Sequence, residues 1–275
     1  MSSDAIPDDA GQIDGDERDY TITAVERSFQ LMEVIAANPD RTLAELARLT
    51  GFSRSLVFRM TFTMEKCGYI MRTRERGGYK LAYRTLYLSA CAQDQIPLIQ
   101  AARPFIDDLA RRTGLNVNLN VREGLFHLTI LSRHQSDPEN LYVRTGRLGP
   151  LYAGGAPKIL LAFAPQSVQE TVLSGKMEKL TDATVVDPKE IAATLEQIRQ
   201  TGTNETIRDV YPDGFAFAAA IRGPDGSVVA AISLAGTLDQ LTPENRAAFR
   251  LGVHDTANRI SETLGFRKWG QVEIS

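Results

Sequence analysis

Apolar residues recur at helical spacing in three successive stretches near the start of the chain, each closed by a turn signal. In TAVERSFQLMEVIAANPD, Val25, Phe29, Met32 and Ile35 or Ala36 share a face and Asn38-Pro39 ends the run, which predicts a first helix. Thr42 is placed to cap a second helix, LAELARLT, with Leu43, Leu46, Ala47 and Thr50 inward and Gly51 where a left-handed backbone is favoured. Ser53 caps a third, with Val57, Met60, Thr61, Met64 and Cys67 inward until Gly68. Two short helices joined by a tight glycine turn, with a third ahead of them, predict a helix-turn-helix unit. YIMRTRERGGYKLA then reads as a hairpin turning at Gly77-Gly78. Residues 83 to 113 are helical with a break near Ile96-Pro97, and Leu86, Leu88 and Ala90 mark a connecting helix that packs on something.

After Gly114 the period changes from that of a helix to that of a strand. LNVNLNVRE alternates strictly, FHLTILSR follows it, and LYVRTGRLGP comes after a loop from His134 to Asn140. PKILLAFA and EIAATLEQIRQTG are helical, FAFAAAIRGPDGSVVAAISLAG is a hairpin turned at Pro224-Asp225-Gly226, and a last helix starts at Thr242-Pro243. The pattern predicts an α+β protein. Its parts are an acidic disordered tail (1–19), an N-terminal winged helix-turn-helix domain (20–82), a linker helix (83–98) and a C-terminal antiparallel-sheet domain (99–268).

The formal net charge of -3 conceals a sorting of charge along the chain. Residues 1–19 carry seven acids against Arg18 alone, a net of -6 with little apolar content, which predicts disorder. Residues 41–84 carry ten basic residues against three acids, a net of +7, the footprint of a nucleic-acid-binding part. Deleting the tail tests whether it competes with DNA for that basic face. The two cysteines, Cys67 and Cys91, are too few for a disulfide framework and are expected to be buried free thiols. No apolar stretch is long enough to cross a membrane and no leader is evident, which places the chain in the cytoplasm.

On the third helix the side away from the core holds Arg54, Ser55, Leu56, Phe58, Arg59 and Phe62. Arginine and serine on the first turns of such a helix reach phosphates and base edges in a major groove. Arg72, Arg74, Arg76 and Lys80 lie on the hairpin, where a wing grips the backbone beside it. With the capping positions Thr42 and Ser53, these residues form the expected DNA-binding set. Here RSFQLMEVIAANPDRTLAELARLTGFSRSLVFRMTFTMEKCGYI, GRLGPLYAGGAPKILLAF and GFAFAAAIRGPDGSVVAAISLAG resemble the IclR family of bacterial transcriptional regulators over roughly residues 21–266. The resemblance implies a homodimer or homotetramer on a palindromic double-stranded operator, and a C-terminal domain that binds a small organic-acid effector. It departs from the family at MTFTMEKCG, where Phe62 takes an outward polar position.

By that resemblance the effector cup has a rim at Gly149 and at Gly154, Gly155 and Ala156, entering a helix at Pro157. Exposed N–H groups there suit a carboxylate. Phe215 and Phe217 on one strand, with Ser233 and Ala235 on its partner, are assigned to the other wall, which points to an aromatic or otherwise apolar acid. Glu205, Arg208 and Asp209 fall in GTNETIRDVYPDG, read as a loop that closes on the ligand. The structural alternatives are a tight strand-to-helix turn for the glycines, core packing for Phe217, and a solvated loop for the three charged residues.

Enzyme signatures are missing from the sequence: there is no GxSxG, no HExxH and no GxGxxG after a strand. His127 and His134 have no acidic or cysteine partner at ligand spacing, so neither a metal nor a cofactor is expected. The alternative to a regulator is a small-molecule sensor without sequence-specific DNA recognition.

Overall fold

Side-chain caps set the starts of the second and third helices in the computed structural model, which describes residues 20–74, 76–133 and 144–267. The acidic tail, the His134 to Asn140 loop with its histidine, and the last eight residues lie outside the described residues. Two units divide the chain, Met1–Cys91 and Ala92–Ser275. In the first, α1 (Thr23–Ala37), α2 (Leu43–Thr50) and α3 (Arg54–Lys66) precede a hairpin of β1 (Ile70–Arg72) and β2 (Tyr79–Leu81), and α4 (Tyr83–Gln95) follows. Thr42 and Glu45 form a reciprocal capping box on α2, and Gly51 ends it at φ 70°. Ser53 accepts the Leu56 N–H to start α3. Leu31, Ile35, Leu46, Val57, Met60, Met64, Ile70 and Tyr79 make the core.

Three details of this unit differ from the expected pattern. The buried face of α1 is Leu31 and Ile35, whereas Val25 and Phe29 are 48% and 59% exposed; α1 is apolar on more than one side, so periodicity alone does not choose the face. Cys67 is exposed at the C-cap of α3 and Cys91 is half-buried, because neither meets the core surface. No residue of α4 is buried, and Leu86 and Leu88 remain exposed.

In the second unit, Pro97 begins α5 (Pro97–Thr113) at the expected break. It leads through β3 (Asn116–Glu123), β4 (Phe126–Arg133), β5 (Leu148–Pro150), α6 (Gly155–Ala162), α7 (Gln166–Ser174), α8 (Pro188–Thr201), β6 (Thr203–Ile207), β7 (Gly214–Arg222) and β8 (Val228–Thr237) to α9 (Pro243–Thr263). The six strands form one antiparallel sheet in the order β5-β4-β3-β8-β7-β6. One face carries Val117, Leu119, Phe217, Ile232 and Leu234 against α5 and α9; the other turns Ala218 and Ala231 to α6 and α8. Helix α7 has no counterpart in the sequence-based reading. TNETI, expected in a loop, is the edge strand β6, paired with β7 from Thr203↔Ala219 to Ile207↔Phe215.

Candidate functional site

On α3, Arg54, Ser55, Phe58, Arg59 and Phe62 are exposed together, and Arg72, Arg74, Arg76 and Lys80 are exposed on the hairpin. Leu56 is the exception: it is half-buried, packed against the core. Thr42 and Ser53 hold helix starts with their hydroxyls. Arg72 is restrained within the unit, with its Nε 3.4 Å from Glu65 and its guanidinium over the Tyr79 ring. The wing is fixed to the start of α2 by Arg41, whose carbonyl accepts the Tyr79 N–H at 3.0 Å. Gly78 lets this happen, since a Cβ there would meet the Asp40 backbone at 2.5 Å.

The C-terminal unit contains a cavity with some 860 Å³ free of protein atoms, counting its open mouth. Its floor is the α6-facing side of the sheet: Asn116, Asn118 and Asn120 of β3, Ala216 of β7, and Ser233 and Ala235 of β8. The register explains the set, since Asn118 and Ala218 both pair with Ser233, and Asn116 and Ala216 both pair with Ala235. Gly149, Gly154, Gly155, Ala156 and Asp209, with His127, Arg147 and Tyr211, complete the wall. Gly154 has φ 98°, a conformation that opens the way into α6 for the first turn at Gly155.

Asp209 is the electrostatic centre of the wall. Its Oδ2 accepts the Gly154 N–H at 2.7 Å and the Lys158 ammonium at 2.8 Å, and both charged side chains are only 6% exposed. The pair adds no net charge to the cup, and the Thr184 hydroxyl fixes the Asp209 carbonyl from behind at 2.7 Å. Asp209 Oδ1 has no hydrogen-bond partner among the described residues, nor does Asn118 Nδ2, although the Asn118 Oδ1 accepts from Ser132 at 2.6 Å. Buried polar atoms without partners are unusual, and these two, one acceptor and one donor, belong to residues of the same cavity wall. Arg147 brings a cation, stacked over Tyr211 at 5.3 Å and hydrogen-bonded to its hydroxyl; burial, then Arg144 nearby, lowers its pKa.

His127 is held neutral. Its Nδ1 lies 3.2 Å from the Pro150 carbonyl, which can only accept, so Nδ1 carries the proton and Nε2 is an acceptor. Burial, above all, pushes its pKa down from 6.5 to about 4. The unfolded chain therefore takes up a proton between those values that the folded chain refuses, and stability falls as pH drops below 6.5. The expected loss is about 2 kcal/mol between pH 7.5 and pH 5. Urea unfolding at both pH values, with His127→Gln as the control lacking this titration, checks it; equal pH slopes for both proteins would show that His127 is not the cause.

Several residues assigned to the cup lie elsewhere. Phe217 points to the opposite face of the sheet, fully buried against Phe215 and Phe249 of α9. Side chains alternate along β7, so a shift of one residue exchanges the faces: Ala216 looks into the cup and Phe217 does not. Phe217 therefore gives no reason to expect an aromatic acid. Phe215 stacks on Phe249 and borders the cavity from the core side. Glu205 is on that same core face, bound to Arg246 at 2.5 Å and Arg250 at 2.6 Å on α9. Arg208, at φ 59°, is exposed and outside the wall; its carbonyl accepts from the Thr181 hydroxyl at 2.5 Å. The asparagines, His127 and Arg147 were not anticipated, although the LNVNLNV alternation already put three amides on one strand face.

A family model for the IclR helix-turn-helix domain matches residues 24–74, and one for the bacterial transcriptional regulator IclR C-terminal domain matches residues 90–262. The chain belongs to the IclR family. Among curated relatives, the transcriptional regulator KipR of Bacillus subtilis is 26% identical, covering 88% of this chain and 97% of its own. KdgR of Escherichia coli is 24% identical, covering 93% and 98%. An IclR transcriptional regulator from Alicyclobacillus acidocaldarius has the same fold, with a TM-score of 0.80 at 20% identity over 90% of this chain and 100% of that one. So has an IclR homologue from Microbacterium hydrocarbonoxydans complexed with 4-hydroxybenzoate, with a TM-score of 0.75 at 21% identity over 88% and 98%. KipR, KdgR and the Alicyclobacillus protein are named as transcriptional regulators, the class expected from the sequence rather than an enzyme. Among the described residues no helix is long and apolar enough to cross a membrane.

Proposed function

We propose that this IclR regulator is controlled in the cytoplasm by a small organic acid that also carries a hydroxyl group. The observation that carries this reading is the pair of unpartnered atoms, Asp209 Oδ1 and Asn118 Nδ2, in one cavity wall. A ligand hydroxyl donates to Asp209 Oδ1, a ligand oxygen accepts from Asn118 Nδ2, and the carboxylate meets Arg147. A carboxylate beside a guanidinium that burial has made less willing to hold its proton relieves that desolvation. The α6 amides at Gly155 and Ala156 add favourable donors.

Control of a catabolic operon follows if the acid binds one arrangement of the DNA-binding units better than another. Two copies on a palindromic operator suit the exposed apolar side chains of α1 and α4, among them Phe29, Leu86, Tyr87 and Leu88, which a second chain would cover. Calorimetry with matched acids tests the ligand class: benzoate against 4-hydroxybenzoate, propionate against lactate. A hydrogen bond to a charged carboxylate is worth about 1.5–3 kcal/mol, so the hydroxylated member of the preferred pair binds roughly 10- to 100-fold tighter. Equal affinities within both pairs would remove the hydroxyl from the account, and no binding by any acid would remove the acid.

A further inference from the structure

Phe58 and Phe62 contribute nothing to the core of the N-terminal unit. They are 50% and 58% exposed, one turn apart on α3, with ring centroids 6.3 Å from each other. The buried side of α3 is Val57, Met60, Thr61 and Met64. At about 100° per residue, Phe62 falls within about 30° of the middle of the opposite side, between Phe58 and Ser55, with Arg59 beyond Ser55. The rings thus form an apolar patch among the exposed cations of the same helix, Arg54, Arg59 and Lys66, and the wing exposes Arg74, Arg76 and Lys80 as well. A protein surface complementary to this arrangement would have to be acidic and apolar at once. DNA meets both demands, with phosphates at the edges of the major groove and, within it, one apolar group that differs between bases, the C5 methyl of thymine.

We propose that Phe58 and Phe62 read thymine methyl groups, so that the half-site entered by α3 carries thymines at two positions. Base pairs stack about 3.4 Å apart, so rings 6.3 Å apart address thymines one or two steps from each other. Arg59 and Ser55 beside them supply the polar contacts, and the aromatic pair supplies a selectivity that charge alone cannot. The proposal rests on α3 being the DNA-reading helix.

The test is a selection from random double-stranded DNA with the full-length protein, after which the recovered site is copied with either thymine or uracil. Uracil keeps every pairing edge and loses only the methyl. The wild type is expected to bind the uracil copy roughly fourfold more weakly for each contacted methyl, the factor that corresponds to burying one such group. Phe62→Ala and Phe58→Ala should each lose one of these steps. Phe62→Leu should keep part of it, and the salt dependence should not change because no phosphate contact is lost. Both rings are exposed, so thermal melts of the variants should match the wild type.

Equal affinity of the wild type for the two copies overturns the methyl reading and leaves DNA binding standing. Recovery of no preferred site overturns both. If Phe62→Ala keeps the methyl dependence and instead changes the molar mass in light scattering, the patch is a contact between copies and the proposal fails.

Discussion

Asp209→Ala is expected to destabilise the C-terminal unit by about 3–5 kcal/mol, because it removes one member of a buried ion pair and strands the other. Lys158 would be left charged at 6% exposure, and the Gly154 N–H at the entrance to α6 would lose its acceptor. The effect should appear as a lower urea midpoint without loss of cooperativity. The double change Asp209→Ala with Lys158→Met should recover much of the stability, since no uncompensated charge then remains inside. It should not recover the preference for hydroxylated acids, which needs Asp209 Oδ1. A single variant within about 1 kcal/mol of the wild type would mean that solvent reaches the pair, and that Asp209 is not the fixed acceptor of the cup.

The second large effect concerns α3. The Arg54→Ala, Arg59→Ala double variant is expected to weaken DNA binding by roughly 30-fold or more, at about 1–3 kcal/mol for each side chain. If either arginine contacts phosphate, the slope of affinity against salt drops by about one for that residue; if it contacts a base, the slope holds and preference at one position relaxes. Arg72→Ala should matter less, because Glu65 and Tyr79 already engage that guanidinium. Anisotropy across a salt series separates these outcomes. An unchanged affinity for the double variant would put the DNA contact on some other surface.

What could be read in the sequence was local. Thr42, Ser53 and Thr242 cap helices, and Gly51, Gly114 and Gly202 end them at left-handed φ, through bonds and torsions that involve only near neighbours. The face of β7 was not local. FAFAAAIR is apolar at nearly every position and covered on both sides, so alternation pairs Phe215 with Phe217 without saying which helix layer they meet. The asparagines of β3 alternate with apolar residues, a pattern that does not say what covers them; they are buried because α6 roofs a cavity over that face. Glu205 needed α9, whose Arg246 and Arg250 are more than forty positions away. The spacing puts Phe29 on one face with Met32 and Ile35, yet it is exposed, because α1 presents more apolar side chains than one core can take.

The measurement closest to the centre of this account joins the two units. DNA recovered by selection is titrated with the full chain alone and with a saturating hydroxy acid identified by calorimetry. The account predicts that DNA affinity changes by at least about fivefold, and that DNA changes the affinity for the acid by the same factor, as linkage requires. An acid that binds the cup and leaves DNA affinity unchanged would contradict it, however tightly it binds.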